Sequence, residues 1–138
     1  MDTQEPLLIE DKNRLTIFPI KNDEVWSMYK KAVSSFWTVE EIDFSKDIDD
    51  FNKLNDNEKN FIKHILAFFS SSDTIVNINL GERFMNDVQL LEAKFFYAFQ
   101  MTIENIHSET YSLLIDTYFK DAQEKHEAFN AIQYIPCV

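Results

Sequence analysis

Glycine is all but missing from this chain: one in 138 residues, with only three prolines. A sheet protein with many tight turns needs far more of both, so their scarcity argues for long helices joined by few connections. Cysteine is nearly absent too. Cys137 stands alone, which excludes an internal disulfide and points to a reducing, cytoplasmic setting; its plain reading is an ordinary thiol near the chain end. Basic residues are outnumbered, 13 against 24 acidic, for a net charge of −11. A surface of that sign repels phosphates, so nucleic-acid binding is not expected. No apolar run reaches the roughly 20 residues needed to cross a bilayer, and the opening string MDTQEPLLIEDKNR lacks the order of a signal peptide. The expectation is a soluble chain with no membrane partner. There is no internal repeat and no low-complexity tract.

What is present is core material in quantity, 13 Phe and five Tyr, in a length that suits one domain or part of a larger one. Residues 1–21 hold two of the prolines and no periodicity, and read as an extended N-terminal arm; residues 22–138 read as all-α. Asp23 is placed to cap a helix over about Glu24 to Phe36. The acidic stretch TVEEIDFSKDIDDFNKL reads as a solvated face with a short helix near its end. Asn55 with Glu58 three residues on resembles a capping box. From there Ile62, Leu66, Phe69, Asp73, Val76 and Leu80 recur at helical spacing, apolar except at Asp73. Gly81 lowers helix propensity without having to end the helix. The polar string from Met85 to Gln89 is the predicted turn. Beyond it Leu90, Ala93, Tyr97, Gln100, Glu104, His107, Tyr111, Leu114 and Tyr118 form a second stripe with a polar centre. A last helix is predicted over about Gln123 to Ile135, stopped by Pro136.

In an antiparallel hairpin with about 1.5 Å rise per residue, a turn near residues 88–89 brings Asp73 level with Glu104. Buried charge is costly unless paired or bound to a metal. Residues three apart share a helix face, so Glu104 and His107 can hold one ion or bridge a pair. Carboxylate oxygens with one imidazole favour iron or manganese over structural zinc. In helix bundles, E-x-x-H motifs with single carboxylates on other helices are the layout of carboxylate-bridged di-iron sites. A lone E-x-x-H is weak, being common by chance as a locally paired couple; Asp73 across the hairpin raises it. Tyr111, one turn past His107, is either a core phenol or, beside an oxygen-activating metal, a group that can be oxidised to a radical. Trp37 is a packing residue by default, Met28, Met85 and Met101 are core filler, and His64 and His126 read as structural or surface.

The strings SSFWTVEEID, FIKHILAFFSSSDTIVNINL, FQMTIENIHSETYSLLIDTY and FNAIQYIPCV resemble the small, radical-generating subunit of class I ribonucleotide reductase, of eukaryotic and viral type, from about Asn13 onward. The resemblance implies a ferritin-like helical bundle, of which this chain supplies about half. By position, Asp73, Glu104 and His107 match the family's first three iron ligands, Tyr111 its radical tyrosine, and Trp37 its electron-relaying tryptophan. It also implies a di-iron cofactor, with manganese as the alternative, a homodimer, and docking on a large catalytic subunit that makes deoxyribonucleotides.

Two departures qualify the match. The family's remaining ligands, two glutamates and a second E-x-x-H, are not in these residues, so the 138 residues alone are expected to be inactive. Thr74 and Ile78 stand where the family usually has Gly and Glu. Two other readings compete: a symmetric dimer of hairpins sharing a ferroxidase-like site, and a metal-free helical interaction module whose polar stripe pairs with a partner.

Overall fold

A computed structural model describes residues 5–134, and every regular element among them is helical. In chain order these are α1 (Asp23–Ser34), α2 (Asp47–Lys53), α3 (Asp56–Asn79), a π-helical stretch Leu80–Phe84, α4 (Met85–Asp87), α5 (Leu91–Tyr118), α6 (Ala122–Phe129) and α7 (Ala131–Tyr134). Short 3-10 turns lie at Pro6–Leu8, Val39–Glu41 and Phe44–Lys46. The described chain divides into two compact units. One holds the chain up to Phe36 together with Asn77–Ile103; the other holds Trp37–Val76 together with the chain from Glu104.

Local chemistry explains most boundaries. At the start of α3, the Glu58 amide donates to Asn55 Oδ1 at 3.0 Å and the Asn55 amide donates to Glu58 Oε2 at 2.9 Å, the reciprocal pair the sequence predicts. The cap of α1 lies one residue earlier than expected. Asn22, in an extended conformation, accepts from the Val25 amide at 3.0 Å, while Asp23 joins the first turn, where its charge favours the helix dipole. That helix also ends at Ser34 rather than Phe36. The predicted turn over Met85–Gln89 is corrected as well: the helix runs on through Asp87, and the break falls at residues 88–90. The last helix is two pieces, α6 and α7, with Asn130 between them. Ile135, Pro136 and Cys137 lie outside the described residues.

In the first unit, the Gln89 and Leu90 amides donate to the Leu7 carbonyl at 2.7 and 3.2 Å, which ties the N-terminal segment to the break before α5. Gly81 sits in the π-helical stretch, where a Cβ would come within 3.3 Å of Met101 Cε; its missing side chain gives that methyl its place. In the second unit, Phe51, Leu66, Ala67, Ile115, Phe119, Ala128 and Ala131 form a core that α2, α3, α5, α6 and α7 share. In the first unit Phe84 of the π-helical stretch packs on Tyr97 of α5, and in the second Phe69 of α3 packs on Tyr111 of α5.

Candidate metal centre

The polar members of the two stripes meet inside the second unit. Asp73, from α3, is 8% exposed, and one of its oxygens, Oδ2, is buried with no hydrogen-bond partner. Glu104 and His107, one turn apart on α5, make a contact of 3.2 Å between Glu104 Oε2 and His107 Nδ1. One ligand atom from each of the three lies within 4.8 Å of the others. Donors about 2.1 Å from one cation lie up to about 4.2 Å apart, so a side-chain shift of a few tenths of an ångström lets the three hold one ion or one side of a pair. The sequence places these three residues together, and the structure does bring them together.

Electrostatics separate Asp73 from an ordinary acid. Burial raises its pKa, the negative charge of Glu104 raises it further, and His107 pulls the other way. A buried oxygen without a donor, beside a second carboxylate, is a costly arrangement for a chain that had only to fold. A cation is the group that reverses each of those costs. The donor set, two carboxylates and an imidazole with no thiolate, suits iron or manganese.

Two aromatic side chains flank the cluster. Tyr111 is half-buried, and its phenol pKa is raised first by burial and then by the charges of Asp73 and Glu104, so its proton is held at neutral pH. The Trp37 indole packs against the His107 imidazole with ring centres 5.7 Å apart and planes tilted by 32°. Trp37 is thus brought to the cluster through His107. His64 and His126 are not. The His64 ring lies 2.7 Å from the Asn60 carbonyl on its own helix, and His126 contacts Asn130 and Tyr134.

Two features escape the sequence reading. Phe69 stacks on Tyr111, with centroids 5.3 Å apart and planes within 16°. Phe69 and Tyr111 belong to the two helical stripes the sequence shows, one turn before Asp73 and one turn past His107, so that pairing had a signal. The other is in the first unit, where Glu92 is fully buried and takes both guanidinium nitrogens of Arg14, at 2.7 and 2.6 Å, and the Lys21 amide at 2.7 Å. Nothing in helical spacing announces a partner 78 residues away.

The chain resembles known proteins along most of its length. A family model described as "Ribonucleotide reductase, small chain" matches residues 14–138. The chain is 64% identical over 134 residues to the ribonucleoside-diphosphate reductase small chain of Monkeypox virus, covering 97% of this chain and 42% of that protein. It thus spans about two fifths of the length of such relatives. A homodimeric ribonucleotide reductase subunit from Saccharomyces cerevisiae superposes with TM-score 0.79 at 46% identity, over 90% of this chain and 40% of that one. The ribonucleotide reductase R2 subunit from Clostridium botulinum gives TM-score 0.74 at 25% identity, over 82% of this chain and 35% of that one. The fold is ferritin-like.

Proposed function

The chain belongs to the ribonucleotide reductase small-chain family, and on that footing we propose a radical-generating role for it. In this reading Asp73, Glu104 and His107 are part of the ligand set of a two-metal centre, iron in the first instance and manganese as the alternative. Tyr111 is the residue oxidised beside it. The radical drives reduction of ribonucleotides to deoxyribonucleotides on a separate large subunit. Residues 22–138 then form the N-terminal part of the ferritin-like domain, residues 1–21 its arm, and the working form is a cytoplasmic homodimer. The convergence of three ligand-type atoms within 4.8 Å, with one Asp73 oxygen buried and lacking a donor, carries the reading.

Bound metal would supply, by reducing dioxygen, the one-electron oxidising power that side chains lack. The chain's own residues do the rest. Asp73, whose buried Oδ2 lacks a donor, and Glu104 offer oxygens to a cation, while the Glu104 contact orients the His107 ring. Oxidation of Tyr111 to a neutral radical removes one electron and the phenolic proton, and Asp73 and Glu104, whose charges act on the phenol, are the nearby bases that could take that proton. Trp37, stacked on His107, gives electrons a second aromatic station.

The test is metal content and electron paramagnetic resonance on the natural polypeptide after loading with ferrous iron and oxygen. Glu104→Ala and His107→Ala are expected to lose metal. Tyr111→Phe is expected to keep metal and lose the radical signal. Unaltered metal content in both ligand variants would remove them from the centre, and a radical surviving Tyr111→Phe would remove Tyr111.

A further inference from the structure

The ring that faces Tyr111 belongs to Phe69, and its geometry points to a role for it: we propose that Phe69 is a positioning residue for the Tyr111 phenol, clamping the ring plane and keeping solvent off one edge of it. The proposal rests on the radical role of Tyr111 argued above. Three observations carry it. The two rings are nearly parallel, within 16°, at 5.3 Å, a strongly offset stack in which Phe69 lies over one edge of the phenol. Phe69 also meets the Phe68 ring edge-on at 5.4 Å and 75°, which limits the directions in which it can turn. Finally, Phe69 lies one turn before Asp73 on α3 and Tyr111 one turn after His107 on α5. The stack is therefore the next layer above the ligand layer, not a pair elsewhere in the core.

The clamp matters because a phenol ring turns about two bonds. Rotation about Cα–Cβ would carry the hydroxyl away from Asp73 and Glu104, and rotation about Cβ–Cγ would turn the ring plane against the Cβ hydrogens, which sets the radical's hyperfine pattern; a ring stacked on one side is restrained in both. Phe69 itself remains 39% exposed. An aliphatic side chain of similar bulk would fill the space without fixing the ring plane. Phe69→Leu is therefore the informative variant, with Phe69→Ala as the more severe one.

Two measurements test it on the natural polypeptide. In the metal-free protein with labelled tyrosine, nuclear magnetic resonance is expected to show faster Tyr111 ring flipping and loss of the ring-current shift in Phe69→Leu, with the melting temperature near wild type. In the metal-loaded protein, metal content is expected to stay constant while the radical's hyperfine pattern broadens and its decay with a small water-soluble reductant becomes several-fold faster. Unchanged Tyr111 ring signals in both variants would overturn the proposal, whatever the loaded protein does. Wild type giving no radical at all would instead sink the radical role of Tyr111, and the ring-flip measurement would still judge the clamp.

Discussion

Two buried carboxylates, one in each unit, meet opposite fates. Glu92, in the first unit, is fully buried and saturated: two nitrogens of Arg14 and the Lys21 amide point at it, and its pKa falls to about 2. Asp73, in the second, is nearly as buried, yet one oxygen has no donor and its pKa rises. Burial alone raises an acid's pKa, so at Glu92 the guanidinium overrides it and at Asp73 nothing does. The contrast separates an acid whose charge the fold satisfies from one whose charge the fold leaves unmet. Perturbed acids of the second kind collect at functional sites.

The largest effect expected from breaking that contrast is at Arg14. Arg14→Ala strands the Glu92 charge without its partner and is expected to cost about 3–5 kcal/mol, seen as a lower denaturant midpoint. Arg14→Met with Glu92→Leu, which removes both charges, is expected to cost much less. A single variant no worse than the double would mean that the pair does not lock the arm.

Acid should undo the same lock. The folded-state pKa of Glu92 lies below its ordinary value of 4.5, so its contribution is complete above that pH, where the acid is ionised in both states. It is lost as pH falls from 4.5 towards 2, a change of about 3 kcal/mol by linkage. Unfolding followed against pH should show this slope in wild type and not in Glu92→Gln. Equal slopes in the two proteins would place the acid sensitivity elsewhere.

The contrast also marks what a sequence exposes. Asp73, Glu104 and His107 were legible because each interrupts an apolar stripe, and a periodic stripe fixes both the face and the height of its residues. The capping box at Asn55 and Glu58 was legible for a similar reason, being a contact between residues three apart. The Arg14–Glu92 lock was not, because it joins a non-periodic segment to a helix start 78 residues on. The turn was misplaced by its polar letters. Met85, Asn86 and Asp87 read as loop, but the helix continues through the π-helical stretch before them, and Asn86 and Gln89 turn their side-chain amides onto backbone carbonyls of that segment. Propensity lost to local hydrogen bonding.

Tyr118 and Asp47 give the comparison an intermediate case. The phenol donates to Asp47 Oδ2 at 3.0 Å, and burial, with that bond, pushes the tyrosine up to about 12. Asp47 is half-buried, so water can replace the donor when it is lost. Tyr118→Phe keeps the ring stacked on Phe51 at 4.8 Å and is expected to cost only about 1 kcal/mol. A loss as large as that at Arg14 would mean that Asp47 is less accessible to water than its exposure implies.

The smallest change in stability is expected at the acid that matters most. Asp73→Asn removes a charge whose burial and whose neighbour Glu104 both oppose it, while keeping the side chain's shape. In the metal-free protein it should therefore be neutral or slightly stabilising, within about 1 kcal/mol, where Glu92→Gln loses stability. Metal uptake should move the other way: an amide is a poorer ligand than a carboxylate, so Asp73→Asn should bind less metal and lose the stabilisation that binding confers on wild type. A thermal shift on adding ferrous iron, measured in both proteins, reads the two effects separately. If Asp73→Asn were as destabilising without metal as Glu92→Gln, Asp73 would be a structural acid after all, and the difference between the two units would disappear.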